Sequence, residues 1–161
     1  MNVREVANPV LAKWNTLGRS AFGRWVFSHG LGLVVPYSGS ISPQIRLLEP
    51  GRAVIAMRDR RKVRNHLRSI HAAAMLNLTE LTGGLVVTVS MPADARMIIT
   101  RVCLDFLKKG RGLLTSEGTC PVPESNERAE IEVQVTIRDQ AQDAVAQGTV
   151  HVLVGPVKSA G

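Results

Sequence analysis

A run of helix-forming residues in the middle of the chain constrains the fold more than any other feature. Residues 69–82 consist mainly of Ala, Met, Leu and Thr, with no Gly or Pro, and Gly83-Gly84 follows directly. This pattern predicts a helix that begins at Ser69 as its N-cap and ends at the glycine pair. Because few of its side chains are polar, we expect the helix to be buried on most sides as the core of the domain.

Segments typical of strands surround this helix in the sequence. Apolar and polar residues alternate most clearly in residues 130–138, which is typical of a sheet with one face in water. The pair Pro50-Gly51 predicts a turn, and therefore a hairpin, between the first two strands. The predicted strands are residues 45–48, 53–57, 85–89, 97–107, 112–120, 130–138 and 145–154. One buried helix among long antiparallel strands predicts an α+β fold in which the sheet wraps around the helix.

The beginning of the chain follows a different pattern. Apolar residues recur at helical spacing between residues 8 and 27 and predict one or two amphipathic helices. Residues 30–42 are rich in Gly, Ser and Pro and predict a loop. We expect the helices to pack against the core. The alternative is a role at a membrane surface for Arg19, Arg24 and the two tryptophans.

Size and composition limit the class of the protein and its partners. A length of 161 residues suits one structural domain, which we divide into an N-terminal helical extension, residues 1–40, and a main domain, residues 41–161. The net charge of +7 favours an anionic partner. The sequence has only three Phe and one Tyr for stacking on bases, which argues against nucleic acid as that partner.

The cysteines and the apolar segments indicate the compartment. Cys103 and Cys120 have neither the number nor the spacing of a disulfide framework or a zinc site. We interpret them as free thiols in a reducing compartment and predict a cytoplasmic protein without a metal site. The apolar run near residues 25–35 is broken by His29 and glycines, so we predict neither a signal peptide nor a transmembrane segment.

The order of these elements, and three residues in and before the central helix, resemble a known family. Asn65 is followed six residues later by His71, and Glu80 lies nine residues beyond His71. This spacing resembles that of the hotdog-fold acyl-thioester hydrolases, specifically the phenylacetate-pathway and 4-hydroxybenzoyl-coenzyme A thioesterase branches. The resemblance covers residues 40–155 approximately.

The resemblance implies a fold, a reaction and a set of site residues. It implies a hotdog fold, with a long central helix wrapped by five to six strands, and a substrate that is an acyl-CoA or acyl-carrier thioester, with no separate cofactor. It implies Glu80 as general base or nucleophile and the Ala72 amide in an oxyanion hole, supported by Asn65 and His71. Ala72-Ala73 replaces the usual Gly-Gly, which indicates an uncharacterised subgroup. It also leaves open a non-catalytic module that binds acyl-CoA or lipid.

Helix geometry predicts that one chain cannot complete this site. Glu80 lies roughly 13 Å further along the helix axis than His71 and on the opposite side. We therefore expect a homodimer, or a dimer of dimers, in which Glu80 of one subunit faces the helix start of its partner. Five basic residues are expected either to hold the phosphates of coenzyme A or to form a solvated basic surface: Arg64, Arg68, Lys108, Lys109 and Arg111.

Overall fold

Residues 8–157, which the computed structural model describes, form an α+β fold with one sheet and one long helix. The elements are α1 Pro9–Leu17, α2 Ala21–Val34, α3 Pro36–Gly39, β1 Gln44–Glu49, β2 Arg52–Arg58, α4 Ala72–Ser90, β3 Ala95–Phe106, β4 Leu113–Thr119, β5 Ala129–Arg138 and β6 Ala144–Pro156. A short 3-10 turn at Arg61–Val63 follows β2. The predicted α+β class is confirmed.

The strands of this part of the chain form one antiparallel sheet in the order β1-β2-β4-β5-β6-β3, so that β1 and β3 are its edges. The predicted hairpin joins β1 to β2 at Pro50-Gly51, where Gly51 has a φ of 83° that favours glycine. On β5 the inward side chains, such as Val133 and Val135, are buried, whereas Glu132 and Gln134 are exposed. The alternation seen in the sequence is therefore the alternation of core and solvent across the sheet.

The central helix, α4, begins and ends later than predicted. Its N-cap is His71 and not Ser69, which is buried in the preceding loop. Residues 85–89, predicted as a strand, are its last turns and are almost wholly buried. All of these residues except Thr88 are apolar, and hydrophobic periodicity alone does not separate a buried strand from a buried helix.

The glycine pair lies inside α4 because the helix and the sheet approach each other closely there. A Cβ atom on Gly83 would lie 2.7 Å from the Cβ of Val150 on β6. Contacts this short do not occur between side chains, so the helix can rest on β6 only if this position has no side chain. The prediction that the pair ends the helix is wrong for this reason.

The sheet covers α4 along most of its length. In the described part of the chain, α4 is the one helix long and apolar enough to be a candidate membrane span, but 72% of the relevant window is buried within the fold. The core helix of a soluble domain meets the same criterion of length and composition. The burial of α4 therefore agrees with the prediction of a core helix.

The N-terminal helices pack on β1 and on α4. Ser28 of α2 accepts a hydrogen bond from the Ile45 amide of β1 at 2.9 Å. Trp14 of α1 is buried, with its ring edge-on to Phe27 at 5.2 Å between centroids. Most of the predicted loop at residues 30–42 is helical, because α2 continues to Val34 and α3 follows it. The division of the chain after residue 40 stays a prediction.

Candidate functional site

Asn65 organises the loop that leads into α4. Its side-chain oxygen accepts hydrogen bonds from the Leu67 amide at 2.9 Å, the Ser69 amide at 3.2 Å and the Ser69 hydroxyl at 3.1 Å. The Ser69 carbonyl accepts in turn from the Asn65 amide at 2.8 Å. With three donors on this one oxygen, the side-chain carbonyl of Asn65 has no capacity left for a partner outside the loop. Its NH2 group is the part that remains for other partners.

His71 caps the N-terminus of α4 and fixes which backbone amide is left free. Its Nδ1 atom accepts from the Ala73 amide at 3.0 Å, so the proton of the neutral ring lies on Nε2. The Ala74 and Met75 amides donate to the His71 carbonyl at 3.0 and 3.2 Å. Within residues 8–157 this leaves Ala72 as the amide of the first turn without an acceptor. A free N–H at the positive end of a helix is suited to a developing negative charge.

Glu80 lies on the one side of α4 that the fold leaves bare. The residues of this side recur every four positions. Four residues turn about 40° beyond one full turn, so they form a continuous stripe that winds around the helix. Its members are Ala72, Leu76 and Glu80, which are exposed, followed by Gly84 and Thr88, which are partly buried. We call this set the open face of α4. Within the described chain Glu80 takes part in no ion pair or side-chain hydrogen bond.

One chain does not bring Glu80 to the Ala72 amide. The eight residues between them correspond to about 12 Å along the helix axis. The two groups belong to the same exposed stripe but are too far apart to contact one substrate atom. The expectation that a second chain would be needed to bring them together stays a prediction.

A cavity of about 500 Å³ opens beside the N-terminus of α4. Its lining includes His71, the N-cap of α4, together with Asn77 of α4 and Tyr37 of α3. Asn77 is 5% exposed and donates to the Tyr37 carbonyl at 3.1 Å, whereas its own Oδ1 atom is buried without a partner in this part of the chain. A buried acceptor of this kind is unusual and suits a ligand or water that donates to it.

Sequence reasoning did not select Asn77 as a site residue. The available signal was an amide side chain among apolar residues, one turn before Glu80 on the same helix. That signal was weak, because the sequence does not indicate that α3 exists or that its backbone reaches α4. The importance of Asn77 follows from tertiary contact and not from local pattern.

The loop before α4 and the segment between β3 and β4 are held together. The Ile70 amide donates to the Gly110 carbonyl at 2.8 Å, and the Gly112 amide donates to Asp59 Oδ2 at 3.2 Å. Two separate basic groups of the sequence therefore meet at the N-terminal end of α4. The predicted cluster of Arg64, Arg68, Lys108, Lys109 and Arg111 is drawn from these two segments.

Two members of that cluster already have carboxylate partners. Arg64 Nε donates to Asp59 Oδ1 at 2.6 Å. Lys108 Nζ lies 2.7 Å from both Asp139 and Asp143 in the β5–β6 hairpin. The hydrogen bonds that the Lys108 ammonium donates to these carboxylates raise its pKa.

The remaining three, Arg68, Lys109 and Arg111, are exposed and form no ion pair within residues 8–157. Arg68 lies in the loop that Asn65 organises and has a left-handed backbone conformation, with a φ of 55°. These three side chains are the members of the cluster that remain free to contact an anionic group.

Solved structures with the same fold are similar to the chain over most of its length. The structural-genomics target APC5556 is 24% identical, with a TM-score of 0.78, and 92% of this chain and 98% of that one are covered. A probable thioesterase from Pseudomonas aeruginosa, PA5026, is 21% identical, with a TM-score of 0.72 over 89% of this chain and 96% of that one.

A hypothetical thioesterase from Streptococcus pneumoniae, solved with coenzyme A, is 21% identical with a TM-score of 0.61, covering 73% of this chain and 91% of that one. No curated protein matches the chain in sequence. The likenesses confirm the predicted hotdog fold.

The family model that matches spans residues 23–154 and therefore includes α4, all of the sheet except the last two residues of β6, and most of α2. It describes a domain of unknown function, DUF4442, which agrees with the expected uncharacterised subgroup. The chain belongs to the DUF4442 family.

Proposed function

We propose that the protein is a thioesterase that hydrolyses an acyl-CoA or acyl-carrier thioester at a site shared by two subunits. The observation that carries the proposal is the free Ala72 amide at the start of the helix that bears Glu80 on its open face. An amide donor for an oxyanion and a carboxylate for water are the two groups that thioester hydrolysis requires. The likeness to solved thioesterases supports the same reaction class.

The open face of α4 is suited to pairing with a second, antiparallel α4. Leu76 lies midway between Ala72 and Glu80 and is 41% exposed. A two-fold axis near Leu76 would place Ala72 of one subunit level with Glu80 of the partner subunit. The same axis would cover Leu76 with its own copy. Two equivalent sites per dimer follow from this arrangement.

Each group has a defined part in the proposed reaction. Glu80 takes a proton from water, whose oxygen attacks the thioester carbonyl, and the Ala72 amide donates to the oxygen as it becomes negative. The carbon–sulfur bond then breaks, and the thiolate leaves with the proton that Glu80 had accepted. The products are a carboxylic acid and the free thiol of the carrier.

His71 and Asn65 support this geometry rather than react. His71 caps the helix so that the Ala72 amide is the one left free, and Asn65 shapes the loop before it. Arg68, Lys109 and Arg111 are proposed to contact the phosphates of the carrier, with Arg64 and Lys108 contributing charge while they remain paired. The free thiols Cys103 and Cys120 fit the cytoplasmic location that we propose.

Release of free thiol from a panel of short, medium, long and aromatic acyl-CoA esters tests the proposal. Glu80→Gln is expected to lower turnover by about a hundredfold or more, as loss of a general base does. Glu130→Gln removes another exposed carboxylate, on β5, and is expected to leave turnover unchanged. Sedimentation velocity of both variants checks that the dimer persists. Equal turnover in Glu80→Gln and the native protein would remove Glu80 from the mechanism.

The shared site has its own test. Leu76→Glu would place two carboxylates together at the proposed two-fold axis and is expected to give monomers without activity. Val122→Glu is a matched change, since Val122 is an exposed apolar residue far from α4 in sequence, and should leave the dimer intact. Full activity in a monomeric Leu76→Glu protein would contradict a site built from two chains.

A non-catalytic acyl-CoA-binding module is the second candidate. The observation that favours it is the pair Ala72 and Ala73, whose methyl groups are exposed at the helix start where an oxyanion would form. This candidate predicts that acyl-CoA esters bind without release of thiol. Calorimetric titration of native protein with the same esters, in parallel with the thiol assay, separates the two functions.

A further inference from the structure

The outer side of α2 carries a row of exposed apolar and aromatic side chains. Phe22, Trp25, His29 and Leu33 lie on one side of the helix, and we call them the α2 outer face. Phe22, Trp25 and Leu33 are 74%, 56% and 83% exposed. The opposite side of the same helix, including Phe27 and Ser28, is already buried against the rest of the protein. Core packing therefore accounts for one side of α2 only.

The rings of this row are packed on one another. The Phe22 and Trp25 rings are stacked with centroids 5.9 Å apart, and the Trp25 and His29 rings are 4.1 Å apart. An ordered row of this kind presents a ridge that is apolar except for His29, in contrast to isolated apolar residues on a surface. Contiguous apolar ridges on soluble domains mark sites of interaction.

A groove of about 510 Å³ runs beside this ridge, between α2 and β1. Trp25, His29 and Leu33 line it together with three arginines, and no Asp or Glu is among its lining residues. The arginines are Arg24, Arg46 and Arg58, and none of them forms an ion pair within residues 8–157. The sequence contains no acidic residue between Glu5 and Glu49. The three arginines are therefore the source of charge in the groove lining, and that charge is positive.

The combination of ridge and groove narrows the choice of partner. Two-fold pairing of this face with a second copy of the chain would bring the arginines of both copies into one interface, with no carboxylate from the groove lining to offset their charge. An anionic bilayer instead offers phosphate groups for the guanidinium groups, and an apolar layer just beneath them for the aromatic ridge. Trp and Phe at the level of the headgroups are typical of proteins that lie on membranes.

We propose that the α2 outer face docks the protein on an anionic lipid bilayer. Phe22, Trp25 and Leu33 enter the boundary between headgroups and acyl chains, and Arg46 and Arg58 contact lipid phosphates from the groove. Arg24 contributes charge while its guanidinium also donates to the Gly18 carbonyl at 3.0 Å. The groove shares no lining residue with the cavity beside α4, and the proposal holds whether or not the protein is a thioesterase.

Co-sedimentation with vesicles tests the proposal directly. The full chain is mixed with vesicles of phosphatidylcholine alone, or of phosphatidylcholine with phosphatidylglycerol, at low and at physiological ionic strength. We expect binding to the anionic vesicles that weakens with salt, and little binding to neutral ones. Acrylamide quenching gives a second readout, because exposed Trp25 is expected to be protected by vesicles while buried Trp14 is not affected.

Two sets of variants with matched controls locate the surface. The double variant Arg46→Gln, Arg58→Gln is expected to weaken vesicle binding by roughly tenfold or more. The control variant Arg96→Gln, Arg128→Gln removes the same charge elsewhere and is expected to leave binding nearly unchanged. Phe22→Ser with Leu33→Ser is expected to abolish stable binding, whereas Phe106→Ser with Leu107→Ser, which are also exposed, is not. Circular dichroism checks that all variants are folded.

Three results would overturn the proposal. The first is a failure of the native protein to bind anionic vesicles, or an equal loss of binding in the two double-arginine variants. Equal loss would indicate that net charge alone attracts the protein to the vesicles. The second is a change of oligomeric state in Phe22→Ser with Leu33→Ser, which assigns the face to contact between copies. The third is a protein that binds poly-glutamate through Arg46 and Arg58 but does not bind vesicles. That result would assign the groove to an acidic protein partner.

Discussion

His71 and Ala73 are joined by a hydrogen bond of 3.0 Å in which the imidazole Nδ1 accepts from the backbone amide. The residue between them, Ala72, is left with the free amide of the first turn of α4. Because the His71 side chain caps the amide of Ala73, the second residue of the helix, the donor that stays free at the N-terminus of α4 is the Ala72 amide. The position of the free amide follows from the identity of His71.

Replacement of this cap tests its structural role. His71→Ala is expected to lower the free energy of unfolding by about 1 kcal/mol, because the Ala73 amide loses its acceptor, whereas His71→Asn is expected to retain most of the stability. Urea unfolding followed by circular dichroism measures both. His66→Ala, an exposed histidine five residues earlier, should change stability by less than about 0.5 kcal/mol. Equal stability of His71→Ala and the native protein would contradict the cap.

The sequence predicted the sheet and the existence of a buried helix more accurately than the ends of that helix. Alternation on β5 and the Pro50-Gly51 turn act locally, so their consequences can be read from neighbouring residues. The ends of α4 depend on contacts from distant segments. Gly83 is inside the helix because Val150 lies against it, and no local pattern indicates that contact.

The candidate site likewise has features that the sequence predicted and features that it did not. The spacing of Asn65, His71 and Glu80 was available from the sequence, and the structure places all three at or near the start of α4 or on its open face. The side-chain contacts of the basic residues were not available. Lys108 finds its carboxylate partners, Asp139 and Asp143, on a segment remote in sequence. Asn77 becomes a cavity residue only because α3 reaches it.

The neighbouring glycines of α4 give a matched pair of substitutions. Gly83→Ala is expected to destabilise the fold by about 1–3 kcal/mol, since its Cβ would lie 2.7 Å from that of Val150. Gly84→Ala meets Ile99 and Met97 atoms at an ordinary 3.5 Å and should gain up to about 1 kcal/mol from helix propensity. Thermal and urea unfolding of both variants measure the difference. Equal effects of the two would indicate that α4 does not pack closely on β6.

Asn77 is expected to hold α3 against α4. Asn77→Ala removes the donor to the Tyr37 carbonyl, so the amides around α3 should exchange with solvent several-fold faster, with a loss of about 1 kcal/mol in stability. Hydrogen exchange followed by mass spectrometry on peptides covering residues 36–42 measures this effect. Asn126→Ala, which removes an exposed hydrogen bond to Asp94, is the control. Unchanged exchange around α3 would show that Asn77 does not anchor it.

Asp59 connects the loop before α4 with the start of β4. Burial alone would raise the pKa of its carboxyl, but hydrogen bonds from Arg64 and the Gly112 amide, with the charges of Arg64 and Arg111, outweigh burial and lower the pKa overall. The ionised form is thus favoured in the folded protein relative to the unfolded chain. Because the pKa of an unfolded Asp is about 3.9, this contribution to stability is complete at pH values well above 4.

Acidification should therefore weaken the fold through Asp59. The contribution is lost as the pH falls from the unfolded value of about 3.9 through the lower pKa of the folded state. Asp59→Asn, which cannot ionise, is expected to be less stable than the native protein at pH 7 and to lose less stability on acidification. Urea midpoints measured between about pH 7 and pH 3 test this, with Asp105→Asn, an exposed carboxyl outside any ion pair of the described chain, as control. Parallel midpoint curves for Asp59→Asn and the native protein would mean that the Asp59–Arg64 pair does not contribute to acid sensitivity.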